Sequence, residues 1–465
     1  MGLIVRSIRE VIPTDDIRIS VISDGEVGDG PILLWVQRAQ RANGNLAANL
    51  AISIANRLQR PVIACFSLTP SYPDATLRAY HFMSEGLREL PTAFGERGIG
   101  WMLRVGEPTE VVPAVVKEIG AACVITDQAP TTPGREWKDE VARRLPIPIV
   151  SVDADVVVPT AHFTKLEWAP RTIRPKIGKL LDHYLIPIDD PVATVRSKVL
   201  DTFDPVEAIK TFPIDLSVGP APRLRGGERE ARNRLKQFCE SHLTTYDVDR
   251  NRSDIDGSSG MSPYLHFGQI SPIEIAVTAL ETLREAGKPE VIESFFNELV
   301  VQRELAINFA LYQPGYDTFE GIPDWGKKTL AEHASDRRPV LYDRAMLEHG
   351  ATHDPLWNAA QRQMVHEGFM PNRLRMYWAK QMLLWTSSPE EAFAIAVEFN
   401  DRYFVDGRDA NGYAGISWSI GGRHDRPFPP KRPVFGLVRP MGMNAMKKHF
   451  AVDRYIAMIE ERYPK

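Results

Sequence analysis

The chain has 465 residues, of which 43% are hydrophobic and 25% charged, and a formal net charge of -4. That length calls for two or three domains of soluble, globular composition, and the charge argues against indiscriminate binding of polyanions. No run reaches the ~20 apolar residues that span a bilayer, the first sixteen residues lack the apolar core of a signal peptide, and Cys65, Cys123 and Cys239 form no Cys-x-x-Cys; a cytoplasmic protein without disulfides, zinc thiolates or membrane attachment is expected.

Residues 1–160 alternate short apolar runs with amphipathic stretches. Strands are predicted at 32–36, 62–67, 99–105, 123–126 and 149–153, with helices between them at 46–58, 75–90, 108–119 and 136–145. This alternation predicts an α/β domain built on a doubly wound, Rossmann-like parallel sheet, a fold that binds ligands at the carboxyl ends of its strands. No Gly-x-Gly-x-x-Gly or phosphate loop follows the first strand, and Gly98-Ile99-Gly100 precedes a strand instead of a helix. The usual dinucleotide cofactors of the fold are therefore not supported. Residues 161–227 read as a linker rich in proline and basic residues, with a helical piece at 174–185.

From residue 228 to 465 the pattern is all-helical, with helices predicted at 231–242, 272–286, 290–312, 345–348, 355–366, 372–385, 389–403 and 446–461. Asp354-Pro355 and Ser388-Pro389-Glu390-Glu391 combine caps with proline at the first helical position. Two stretches depart from the acidic average. Residues 421–450 hold Arg423, Arg426, Lys431, Arg432, Arg439, Lys447 and Lys448 against Asp425 alone, and residues 165–179 hold Lys165, Arg171, Arg174, Lys176 and Lys179 against Glu167 alone.

The densest chemistry lies between Leu356 and Gly422. Trp378 and Trp385 are seven apart on one predicted helix and share a face, ~10 Å apart along the axis, with Arg375 one turn earlier. A core-facing stripe and an electron path both satisfy that spacing. Asp406-Gly407-Arg408-Asp409 follows a helix end; Gly407 permits a tight reversal, and the acids could pair with Arg375 or cap a following helix. Gly257-Ser258-Ser259-Gly260-Met261-Ser262 is a loop of small hydroxyl residues that would suit a phosphate or serve as a plain N-cap. Glu298 and Glu304 flank Arg303 on a predicted helix, where a solvated face is the ordinary reading. His266, His366 and His424 show no metal-ligand spacing, and no nucleophile–base arrangement supports hydrolysis.

Taken together, SPYLHFGQIS (262–271), ELVVQREL (298–305), LWNAAQRQMV (356–365), LRMYWAKQML (374–383), NDRYFVDGRDANGY (400–413), SWSIGG (417–422) and RPVFG (432–436) resemble the photolyase/cryptochrome superfamily. The likeness is closest to its class II cyclobutane pyrimidine dimer photolyases. SYPDATLRAYHFMSEGLREL (71–90) and APRTIRPKI (169–177) extend it to nearly the whole chain.

The resemblance implies light-driven repair of UV-damaged DNA. Bent FAD, fully reduced in the active form, donates an electron to a pyrimidine dimer that has been flipped out of the stack. It assigns Tyr246, Ser258, Ser259, Met261 and Ser262 to the FAD phosphates and ribityl chain, and Arg303 to the flavin side. Arg375 and Asp406 become the ionic pair beside the isoalloxazine, continued by Gly407 and Arg408. Asn400 is the first choice for the amide facing the reactive central-ring nitrogen, with Asn411 the competitor. Trp378 and Trp357 match an electron relay, with Trp385 as a side branch. Glu298 and Trp418 match the dimer-binding carboxylate and stacking indole.

Arg250 and Asn251 match an Arg-Asn pair near the dimer, with Asp425 as its ionic partner, and Arg423 and Arg426 fall on a basic surface for the phosphate backbone. An antenna chromophore, deazaflavin or folate, is implied for the sheet domain, and the family tendency is monomeric. Pro371, Gln302 and Phe428 depart from the family pattern and bear on substrate affinity. A cryptochrome-like photoreceptor and a DNA-binding scaffold without flavin are the alternatives.

Overall fold

The computed structural model describes residues 5–255 and 257–464. Seven strands form one sheet: β1 (Ile19–Ser23), β2 (Ile32–Val36), β3 (Val62–Leu68), β4 (Gly100–Val105), β5 (Cys123–Asp127), β6 (Ile149–Val152) and β7 (Val199–Asp201), in the order β1-β6-β5-β2-β3-β4-β7. The five strands expected from the sequence are the parallel centre, whereas β1 pairs antiparallel with β6 and β7 adds to the opposite edge. Every residue of β2 and β3 is buried, as a strand covered on both faces requires. Alternate residues of β2 enter different cores. Ile32, Leu34 and Val36 pack with the helix Leu46–Leu58, and Leu33 and Trp35 with Val112 and Val115 of the helix Pro108–Ile119.

Several helices differ from the predicted spans. The segment 75–90 divides into Leu77–Leu87 and Leu90–Glu96, with Pro91 starting the second piece. The helix after β5 begins at Thr132, where Pro133 occupies the first turn. The piece inside 161–227 is the helix Pro170–Tyr184, and that same stretch also supplies β7.

The span 290–312 is not one α-helix. It runs as Val291–Phe296, a π turn at Asn297–Gln302 and then Arg303–Tyr312. π turns inside helices are uncommon and cluster at functional sites.

Four helices gather the largest helical core: Pro355–Glu367, Asn372–Trp385, Pro389–Tyr403 and Ala410–Gly421. The last was not among the predicted helices. Gly412, Gly415 and Gly421 weaken its intrinsic propensity, yet at Gly412 and Gly421 the lack of a side chain lets neighbours approach. A Cβ on Gly412 would lie 2.8 Å from the Asn400 amide, and one on Gly421 2.4 Å from Ile322. Asp409 caps this helix, its Oδ1 accepting from the Ala410 amide at 2.8 Å. No helix among the described residues is long and apolar enough to cross a membrane.

Buried charge joins sheet to helices. Just beyond β2, Arg38 Nε and Arg41 Nη1 meet the Asp155 carboxylate at 2.6 and 3.1 Å, and Arg38 Nη2 also reaches Asp409 at 3.1 Å. Arg303 Nη1 donates to the Asp155 carbonyl at 2.6 Å. One residue on, Glu304 Oε1 accepts from the amides of Val157 and Val158 at 2.7 and 3.1 Å. Glu304 is therefore buried and not on a solvated face, and burial pushes its carboxyl up to about 8.

Candidate functional site

The turn after Tyr403 organises the centre. Arg375 Nη2 meets the Asp406 carboxylate at 2.8 and 3.1 Å, and Ser262 Oγ donates to the same carboxylate at 2.5 Å. The Arg375 guanidinium lies 3.8 Å from the centre of the Phe404 ring. Ser262, from the serine loop, and Arg375, some 110 residues later, thus converge on one acid.

Gly407 is required by proximity, because a Cβ there would lie 2.4 Å from the Asn400 carbonyl oxygen. Arg408 follows with φ at 62°, a left-handed conformation unfavourable to a side chain. It is held by its amide donating to Asp401 Oδ1 at 2.8 Å and by its guanidinium on the Asp401 carbonyl.

Asp401 also fixes Asn400. Asn400 Nδ2 donates to Asp401 Oδ1 at 2.7 Å, and the Tyr413 hydroxyl donates to Oδ2 at 2.9 Å. The Asn400 carbonyl oxygen Oδ1 accepts nothing among the described residues and is left available to a ligand. Burial raises the Asp401 carboxyl. Asn411 instead stands exposed in the first turn of its helix, tied to Asp409 at 3.2 Å. Sequence reasoning passed over Asp401; its place beside Asn400 was the one available signal.

Trp378 and Trp357 are buried and nearly parallel, with ring centres 6.4 Å apart and planes 10° apart. Trp357 also meets Trp385 edge-on at 5.5 Å. Each indole of the stacked pair has its N–H satisfied, Trp357 by the Trp378 carbonyl at 3.0 Å and Trp378 by Gln361 Oε1 at 2.7 Å. Trp385 continues to His353 and Tyr342, at 5.3 and 5.6 Å.

On another side, Glu298 lies in the π turn. Its carboxylate takes Arg250 Nη1 at 2.5 Å and Asn297 Nδ2 at 2.8 Å. Arg250 therefore pairs with Glu298 and not with Asp425, which lies in the field of buried Lys380. Tyr246 is buried near the same pair, and burial raises its phenol. Asn251 follows Arg250 in the loop. Trp418 is part-exposed, its ring meeting His424 edge-on at 5.8 Å.

Arg423, expected on the basic surface, is 1% exposed. Its guanidinium lies between the rings of Phe309 at 4.6 Å and Trp168 at 5.4 Å, and burial lowers its pKa to about 10. Arg426 is exposed, as are Lys431, Arg439, Lys447 and Lys448.

The donor set around this centre fits a cofactor with several acceptors. Among the described residues, Nε and Nη2 of buried Arg303 and the buried Ser417 hydroxyl donate no hydrogen bond, a costly state unless a ligand accepts from them. The Ser259 carbonyl accepts from Arg234 Nε at 3.1 Å and its hydroxyl accepts from the Met261 amide at 3.4 Å, so the loop is tied down on both sides.

A cavity opens at the carboxyl ends of β2 and β3, lined by Trp35, Gln37, Arg38, Tyr72, Trp137 and Arg408 among others. It adjoins the point where the chain, having placed β3 and β4 on one side of β2, places β5 on the other, the site at which open α/β sheets hold ligands. Arg408 lines this cavity and is bonded to Asp401 beside Asn400, so the two sites share a residue.

A sheet domain packs on a helical domain, with a half-buried arginine–aspartate pair beside a serine loop, and the fold is that of photolyases and cryptochromes. A class III photolyase from Agrobacterium tumefaciens superimposes with a TM-score of 0.72 at 18% identity, over 93% of this chain and 87% of that one. An archaeal photolyase from Sulfolobus tokodaii, solved with two FAD molecules, gives 0.63 at 19% identity over 86% of each. The DNA photolyase family model matches residues 32–195. The Arabidopsis thaliana deoxyribodipyrimidine photo-lyase is 39% identical over 93% of this chain and 89% of its own length. The chain belongs to the DNA photolyase family.

Proposed function

We propose that this protein repairs cyclobutane pyrimidine dimers in DNA by light-driven electron transfer, with FAD held in the helical domain. The observation that carries the reading is that one rigid helix, Asn372–Trp385, supplies both Arg375, paired with Asp406, and Trp378, stacked on Trp357. The cofactor clamp and the electron route thus share one backbone.

Fully reduced FAD, when bound, supplies the light-absorbing electron donor. Asp406 and Arg375 would hold the polar edge of its ring, an acceptor beside a donor. Tyr246, Ser258, Ser259, Met261 and Ser262 would hold the phosphates and ribityl chain, and Arg303, with two nitrogens that donate no hydrogen bond among the described residues, the flavin side. Gly407 and Arg408 complete that wall.

Asn400 is assigned to the reactive central-ring nitrogen in preference to Asn411. Its backbone packs on Gly407, next to Asp406, and its side chain is buried and held by Asp401, whereas Asn411 is exposed. Because Asp401 engages its Nδ2, the Asn400 Oδ1 is presented as a hydrogen-bond acceptor.

Trp357 and Trp378 connect this centre with the outer core, and the low dielectric around them keeps the indoles desolvated. Glu298, Arg250 and Asn251 offer charged hydrogen-bond partners to the polar edges of a flipped dimer, and Trp418 an indole face for stacking. Arg426 and the exposed lysines beyond it suit the phosphate backbone, a sequence-independent and salt-sensitive contact. Arg423 acts from below, supporting aromatic rings and not phosphates. The cavity at the ends of β2 and β3 is assigned to an antenna chromophore, with aromatic walls suited to a deazaflavin or folate ring. The protein acts as a cytoplasmic monomer.

The test is illumination of flavin-loaded, chemically reduced protein with a dimer-containing oligonucleotide. Loss of dimer under blue light and none in the dark is expected. Unchanged dimer content under light would refute the reading.

A further inference from the structure

Trp168 has no role in the site described above, and the basic segment around it was not used there. Its indole is 54% exposed, which for the largest apolar side chain is costly unless something covers it.

Nothing about its backbone is loose. The neighbouring Glu167 amide donates to Asn308 Oδ1 at 2.7 Å, Asn308 Nδ2 donates to the Lys165 carbonyl at 3.0 Å, and the Trp168 carbonyl meets His424 Nδ1 at 3.0 Å. Beneath the indole lies the Arg423 guanidinium, itself seated on Phe309. The ring is therefore presented on a rigid, fully buried support, so little conformational entropy remains to be lost when a flat partner covers it.

Its surroundings select the partner. The helix Pro170–Tyr184 begins two residues later, and exposed Lys165, Arg171 and Lys179 lie along this segment and form no salt bridge among the described residues. Its one acid between 165 and 179, Glu167, is buried and taken by Lys176. Exposed cations interleaved with a fixed indole form the pattern that tracks a phosphate backbone while stacking a base.

The surface is continuous with the dimer site on two sides. His424, which holds the Trp168 carbonyl, meets the Trp418 ring at 5.8 Å. Arg174 donates to Asn297 Oδ1 at 2.6 Å, and Asn297 donates to Glu298.

We infer that Trp168, flanked by Lys165, Arg171 and Lys179, is a DNA-contacting platform outside the dimer pocket, on which a base of the damaged strand adjoining the extruded dimer stacks. The proposal rests on the repair reading for the position of the dimer. The damaged strand is named because its next nucleotide is covalently tied to a dimer seated at Trp418 and Glu298.

The test is binding in the dark, by anisotropy, of flavin-loaded protein to a labelled single-stranded oligonucleotide carrying one thymine dimer, so that no complementary strand can contribute. Trp168→Ala should weaken binding by about tenfold, within the range for loss of one base–aromatic stack. Trp168→Phe should stay within about threefold of the parent, because a phenyl ring still stacks. Arg171→Ala should lower the slope of log K against log salt by about 0.7, the value for one phosphate contact on a single strand, whereas Trp168→Ala should leave that slope alone. Parent-like binding by Trp168→Ala with intact flavin absorbance overturns the proposal, and so does a loss seen only with duplex DNA, which would place the stacked base on the other strand. If the parent itself fails to prefer dimer-containing over undamaged oligonucleotide, the repair reading fails first.

Discussion

Glu304 gives a pH dependence that can be worked through from the structure. Its carboxyl sits buried against the sheet-side amides of Val157 and Val158, next in sequence to buried Arg303, and burial carries it from 4.5 to about 8. The group is protonated in both folded and unfolded chains below pH 4.5, so no stability is lost there. Between 4.5 and about 8 the unfolded chain is ionised while the folded one keeps the proton. Stability then falls with rising pH by about 1.4 kcal/mol per unit, up to roughly 5 kcal/mol in all, and levels off above that window. Glu304→Gln keeps one oxygen to accept from both amides and removes the titration. Measured by chemical denaturation, the variant should gain on the parent by about 3 kcal/mol between pH 6 and 8, with little difference in trend below pH 4.5. A constant offset between the two proteins across that range would refute the assignment of a protonated, buried Glu304.

Trp378→Phe should block photoreduction of oxidised flavin while chemically reduced protein still repairs; because it leaves Gln361 Oε1 without its donor, a stability loss of about 1–3 kcal/mol should accompany it in denaturation. Unchanged photoreduction would remove the Trp378–Trp357 pair from the electron route. Glu298→Ala takes away the partner of Arg250 and the proposed charged contact to the dimer, so dimer affinity should fall by about tenfold or more with flavin absorbance intact; a fall in flavin content instead would move Glu298 into the cofactor site. Asp401→Asn leaves Asn400, Arg408 and Tyr413 without their shared carboxylate. Flavin should then dissociate faster, by about tenfold, in a fluorescence release assay, and parent-like release would show that Asn400 needs no such clamp.

Much of this was legible because the informative signals are local. The parallel strands are continuous apolar runs, and the helix starts at Asp354 and Ser388 are capping patterns that do not depend on distant partners. What was not legible depends on partners far along the chain. β1 is a half-buried edge strand whose hydrogen bonds come from β6, and β7 is exposed throughout and only three residues long. The helix Ala410–Gly421 looks poor as a sequence because its glycines carry no helical preference, and it exists through Asp409 at its start and the close packing those glycines allow.

Arg423 makes the point for the site. Counted with its basic neighbours it reads as a phosphate ligand, yet two aromatic rings, one 255 residues earlier, bury it. The same burial explains Trp168, a residue that no spacing rule marks. A guanidinium that cannot reach solvent holds an indole that does, so charge and aromatic surface divide differently between DNA and core than the basic run 421–450 alone implies. The proposed phosphate contacts are then those of exposed Arg426 and the cations around Trp168, with the buried arginine packed against the Trp168 ring.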